Sequence, residues 1–220
     1  MLLQRFTKSR FNLTLLALLV ISGCAGGGGA TKSSESRRAV PTVEMADGKS
    51  AELSVPPQVQ TLYEQAVASM AGGDYVDAEL RFKEFVLQYP DYPGAYVNLA
   101  IIHGNNDNNE AARSVLDAAL ALNPNHPAAL NQMGMLLRKN GKFLEAEAAY
   151  LKAVTVSPDY ALAHYNLGVL NELYLQRLDI ALQNFEDYQA LVGEDKQVEK
   201  WIADLKRRVA ASQRTANVAE

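Results

Sequence analysis

One thiol, three imidazoles and a recurring column of side-chain amides are the groups in this 220-residue chain best suited to chemistry. Cys24 is the only cysteine, so neither an intramolecular disulfide nor a multi-cysteine metal site is open to the sequence. A lone thiolate could instead act as a nucleophile toward carbon, forming a thioether. His103, His126 and His164 have no acid or thiol at a spacing that would complete a triad or a metal-ligand set. The glycine run Gly26 to Gly29 is not followed by Lys-Ser/Thr and does not read as a phosphate loop. Asn98, Gln132 and Asn166 differ in kind from all of these. They recur at one fixed interval, and each carries both a donor and an acceptor. That chemistry is recognition of a polypeptide backbone. The expected function is therefore binding, with no catalytic residue, no metal and no small-molecule substrate.

The elements around Cys24 give the thiol a specific setting. Met1 to Arg10 carries Arg5, Lys8 and Arg10 with no acid, Phe11 to Ile21 is almost wholly apolar, and Ser22-Gly23-Cys24 closes the run with small residues. This is the layout of a secretory signal over residues 1–23, too short for a comfortable membrane span. An uncleaved N-terminal anchor is the competing reading. Ile21-Ser22-Gly23-Cys24 resembles the lipobox of bacterial lipoproteins. The resemblance implies diacylglycerol attached to Cys24, cleavage before it and N-acylation of the new terminus, with no other cofactor. Each buried methylene contributes about 0.8 kcal/mol, so two or three acyl chains anchor stably. In that family an Asp after the cysteine favours inner-membrane retention. Ala25 and Gly26 stand there instead, which for a Gram-negative host implies an outer-membrane, periplasm-facing position. Loss of the three signal-sequence cations would take the formal charge from −4 to −7. The mature chain would offer no basic excess to nucleic acid or to an anionic membrane surface.

Residues 24–57 are rich in Gly, Ser, Pro and mixed charge and read as a flexible tether, with a reach of roughly 30 Å. Beyond it, one period governs the chain. Pro90, Pro124 and Pro158 are 34 residues apart, as are Ala78, Ala112 and Ala146, and Phe82, Leu116 and Tyr150. The columns Leu99, Met133, Leu167 and Ala100, Gly134, Gly168 share the interval. Period and column order resemble the tetratricopeptide repeat, a helix–turn–helix unit of 34 residues. The implied fold is all-α, an α-solenoid of about four such units over 58–195. Gly168 to Ala181 is one residue longer than Gly134 to Ala146, which places an insertion in the fourth inter-helix turn. In the second turn, the run Gly104 to Asn109 supplies Asn and Gly, residues that tolerate a left-handed backbone. Apolar Val198, Ile202, Leu205 and Val209 predict a capping helix over 196–211, with a loose tail at 212–220. Lys206, Arg207 and Arg208 would then form its solvated last turn, and Trp201 would pack in the cap.

The resemblance also locates a candidate groove on the first helices of the units. In peptide-binding members, an amide just before the consensus Leu column bonds an extended ligand. That position holds Asn98, Gln132 and Asn166, with Tyr63, Val67, Ile101, Asn131, Met135, Arg138 and Tyr165 around it. Arg138 and Lys139 offer a basic spot for a carboxylate. Two readings of the amides stand: a ligand ladder, or polar groups satisfying one another locally. Anchor plus repeats resembles small lipoproteins that assist type IV pilus assembly. It equally resembles adaptors of peptidoglycan hydrolases and components of energy-transducing envelope systems. The partner implied is an envelope protein or peptide segment.

Overall fold

The computed structural model describes residues 56–218, with side chains to residue 214. The expected signal sequence, Cys24 and nearly all of the tether lie outside the described residues. Within them the chain is entirely helical: α1 (Pro57–Ala71), α2 (Tyr75–Gln88), α3 (Pro93–Asn105), α4 (Asn109–Leu122), α5 (Pro127–Lys139), α6 (Phe143–Val156), α7 (Ala161–Leu173), α8 (Leu178–Val192) and α9 (Lys196–Val218). No helix of the described residues is long and apolar enough to cross a membrane. Successive pairs α1–α2, α3–α4, α5–α6 and α7–α8 form antiparallel hairpins, and α3–α5 and α5–α7 also touch across units. The result is an α-solenoid of four helix–turn–helix units closed by α9.

Local chemistry sets the boundaries. Pro57, Pro93 and Pro127 stand in the first turns of α1, α3 and α5, where no intrahelical N–H is needed. Pro90, Pro124 and Pro158 directly follow the C-caps Tyr89, Asn123 and Ser157, where the helices stop. Asp74 and Asn108 cap α2 and α4 by accepting from the N–H groups of Asp77 and Ala111. Each inter-helix turn passes through one left-handed residue: Gly73 (φ 82°), Asp107 (φ 57°), Gly141 (φ 75°) and Gln176 (φ 56°). The first three are 34 residues apart and the fourth comes at 35, so the added residue sits within the last turn. The extra length is taken up by Leu175, which packs against the central core. In the second turn the left-handed position falls to Asp107, not to Asn or Gly. Its carboxylate receives Lys139 Nζ at 2.6 Å, an ion pair that fixes the turn against the next unit.

Small residues and rings interlock inside the hairpins. Ala78, Ala112, Ala146 and Ala181 are all buried, as are Phe82, Leu116, Tyr150 and Phe185. A methyl group added at Gly134 would overlap the Tyr150 ring, and one at Gly168 would come within 2.8 Å of the Phe185 ring. Glycine is required at both positions by close approach, not by backbone conformation.

The C-terminal element departs from the expected one. Asp195 starts α9 by accepting from the N–H groups of Gln197 and Val198, and Val198, Ile202 and Leu205 bury against the fourth unit. The helix does not stop at 211. Ala210, Ala211, Ser212 and Gln213 include no Gly or Pro to end it, and it runs on to Val218 in place of a loose tail. Lys206, Arg207 and Arg208 therefore lie mid-helix. Lys206 pairs with Glu186 of α8 at 2.8 Å, Arg208 with Glu172 of α7 at 2.7 Å, and Arg207 with Asp204 at 3.0 Å. The cluster that resembled a solvated helix end is a set of ties to the preceding unit.

Candidate interaction face

The amide column divides once its partners are seen. Asn98 Nδ2 donates to Tyr63 Oη at 2.8 Å, and Asn166 Nδ2 donates to Asn131 Oδ1 at 2.9 Å. Both bonds reach back 35 residues to the first helix of the preceding unit. Asn131 and Asn166 are buried, so this pair is an interior inter-unit bond. Burying an amide without such a partner costs about 1–3 kcal/mol, which explains the pairing without any ligand. Gln132 would reach back 35 residues to Val97, which offers it no polar group. It lies on a cleft wall instead. Of the three rungs, one is interior, one is half-buried against a tyrosine, and one faces open space.

The predicted groove residues separate into three groups. Tyr63 and Val67 pack on the N-terminal core, with Tyr63 edge-on to Phe82 (5.7 Å) and Phe85 (5.5 Å). Burial raises the pKa of the Tyr63 hydroxyl against a smaller opposing effect of its bond to Asn98. At the other end Tyr165 lies among Phe185, Tyr188 and Trp201, with ring centroids 5.3 to 6.0 Å apart. The cap covers it, and Trp201 is part of that packing. Asn131 and Asn166 are interior. The remaining members, Ile101, Gln132, Met135 and Arg138, converge.

They line a cleft of about 410 Å³ between the second and third units. Its floor is small: Ala100, Gly104 and Ala112 leave the space, and a methyl group added at Gly104 would touch nothing within 4 Å. Tyr174, stacked on Phe143 at 4.6 Å and 32°, adds a wall from the fourth unit's turn. Asn109 stands where the first and third units carry Tyr75 and Phe143, and its Nδ2 donates to Asn140 at 3.4 Å. Lys139 is consumed by Asp107 and by the Gly104 carbonyl (3.3 Å). Arg138 is different: its Nη1 is buried and meets no hydrogen-bond acceptor. Tyr174, Asn109 and Gly104 were absent from the sequence-derived groove. The signals for them were there, in the break of the 70/104/138 column at glycine and of the 75/109/143 column at asparagine.

The histidines stay apart. His126 caps α5, its Nδ1 accepting from the Ala129 N–H at 3.2 Å. His103 Nδ1 lies 3.9 Å from Glu79, and His164 Nε2 is 2.9 Å from the Pro158 carbonyl.

Family models for the tetratricopeptide repeat match residues 69–136, and a TPR repeat model matches 134–173. The chain is a tetratricopeptide-repeat protein. Among curated relatives, human protein O-mannosyl-transferase TMTC2 is 46% identical over 62 residues, covering 28% of this chain and 7% of that protein. Photosystem I assembly protein Ycf3 of Rippkaea orientalis is 31% identical over 102 residues, covering 41% of this chain and 58% of its own length. The matches thus span well under two thirds of either relative. Among solved structures, Pseudomonas aeruginosa pilF superposes with a TM-score of 0.63 at 21% identity, over 72% of this chain and 73% of that one. A thermophilic TPR protein of Thermus thermophilus gives 0.59 at 25% identity, over 68% and 82%. As a TPR array the chain is a protein–protein interaction scaffold.

Proposed function

We propose that this TPR protein is a lipid-anchored adaptor of the bacterial envelope. It holds a periplasmic protein partner near the outer membrane and supports an envelope assembly such as a type IV pilus machine. It works by binding, without catalysis. Acyl chains on Cys24 fix location, residues 24–57 set reach, and the array supplies specificity. Tethering raises the partner's local concentration, so the groove contact need not be tight. The reading rests chiefly on one juxtaposition: Ile101, Gln132, Met135 and Arg138 gather at a single cleft, while the histidines and amides that could serve chemistry are bound into caps and inter-unit bonds. The lipobox-like Ile21-Ser22-Gly23-Cys24 supports the anchor, and the anchor-plus-repeat layout resembles that of pilus-assembly lipoproteins.

The anchor is tested by metabolic labelling with an alkyne fatty acid in cells expressing the full chain. The wild type is expected to be labelled and processed, and Cys24→Ala to accumulate as unlabelled precursor. Normal processing of Cys24→Ala would refute the anchor. Partner binding is read in the same cells by cross-linking. Gln132→Ala, which removes no printed intramolecular bond, is expected to lower recovery of the cross-linked partner.

A further inference from the structure

We infer that the cleft between the second and third units takes the carboxylate of an aspartate or glutamate side chain from the partner segment, with Arg138 as its ion partner. The inference rests on the partner-binding reading above and names the group that the cleft selects.

Charge is the first argument. Of the two cations lining the cleft, Lys139 is already neutralised by Asp107 at 2.6 Å. No Asp or Glu contributes to the lining, so Arg138 leaves the cleft with one uncompensated positive charge in a chain of formal charge −4. Hydrogen bonding is the second. Arg138 Nη1 is shielded from solvent yet meets no acceptor, and nearby Tyr150 Oη is likewise buried and unpartnered. A guanidinium N–H so placed is satisfied best by an anionic oxygen, which adds charge to the hydrogen bond. Shape is the third. Ile101 and Met135 give apolar walls for a methylene stem, Gln132 adds a polar edge, and Tyr174 closes one side. An acidic side chain has this make-up: an apolar stem ending in a planar anion. A site built around one buried donor rejects an analogue that lacks the charge.

The test uses the full chain in detergent with arginine side chains labelled for NMR. N-acetyl-glutamate N-methylamide is the probe, and its glutamine and glutamate methyl-ester counterparts are the uncharged controls. The acid should shift the Arg138 Nε–H and neighbouring Tyr174 signals saturably, binding about tenfold or more tighter than either control. Arg138→Gln should abolish that preference and Lys139→Gln should keep it. Equal response to acid and ester, no response at Arg138, or a preference that survives Arg138→Gln would overturn the inference. Because acid and ester are compared on the wild-type protein, the outcome does not depend on a variant folding. Unchanged recovery of the cross-linked partner by folded Arg138→Gln would overturn the partner's use of the cleft. Fatty-acid labelling of Cys24 reports on the anchor separately.

Discussion

A single side chain decides how α5 begins. His126 occupies the N-cap with its Nδ1 accepting from the Ala129 N–H, so the ring nitrogen that takes a proton is the one the cap uses. Burial disfavours the imidazolium and lowers the pKa below its ordinary 6.5, against a smaller opposing effect from a backbone hydrogen bond. The unfolded chain binds its proton near 6.5, while the folded chain resists until lower pH. The cap's contribution is therefore full above about 6.5 and is lost as pH falls through the depressed folded value. Asn caps without titrating. The thermal midpoint of the wild type should thus fall between pH 7 and pH 5 by more than that of His126→Asn. Parallel midpoint curves for the two proteins would show that the imidazole is not the titrating group.

At the scale of the helical hairpin, packing overrides local preference. Alanine is the better helix former than glycine by about 1 kcal/mol, so Gly134→Ala should stabilise an isolated α5. In the folded unit the added methyl group would overlap the Tyr150 ring, which is fully buried and has no room to yield. Overpacking of this kind costs about 1–3 kcal/mol, so the net effect expected in urea denaturation is a loss. The double variant Gly134→Ala/Tyr150→Leu recreates the pair found in the second unit, Ala100 with Leu116, and should recover part of that loss. Much of this hairpin was legible in the sequence, because close-packed columns must repeat wherever units stack. The amide pairing was less so: Asn98 with Tyr63, and Asn166 with Asn131, join different columns across a 35-residue step. The cleft was harder still. It arises where small residues break two columns at once, at Gly104 and Asn109, and only stacking shows that those breaks face each other. The end of α9 was misplaced for a simpler reason: apolar periodicity stops near Val209, but helix propensity does not.

Stacking makes the array nearly one-dimensional, because each unit draws its support from its neighbours. The terminal helix has one neighbouring unit, and its hold is chiefly apolar. The ion pairs Lys206–Glu186 and Arg208–Glu172 join partly exposed side chains, and such pairs are worth at most about 1 kcal/mol each. Leu205 is fully buried against the fourth unit, and truncating a buried leucine to alanine costs about 2–5 kcal/mol. In a globular domain with one cooperative core, that loss would lower a single shared transition. In a linear array it falls first on the end. Trp201, the only tryptophan, lies between α9 and the Tyr165–Phe185 rings and so reports on α9 docking alone. Helical circular dichroism reports on the whole stack. Leu205→Ala should therefore shift the Trp201 emission transition to lower urea than the circular dichroism transition, with the two nearly coincident in the wild type. Coincident transitions in Leu205→Ala would mean that the cap and the four units unfold as one body, and the nearest-neighbour account of this array would fail.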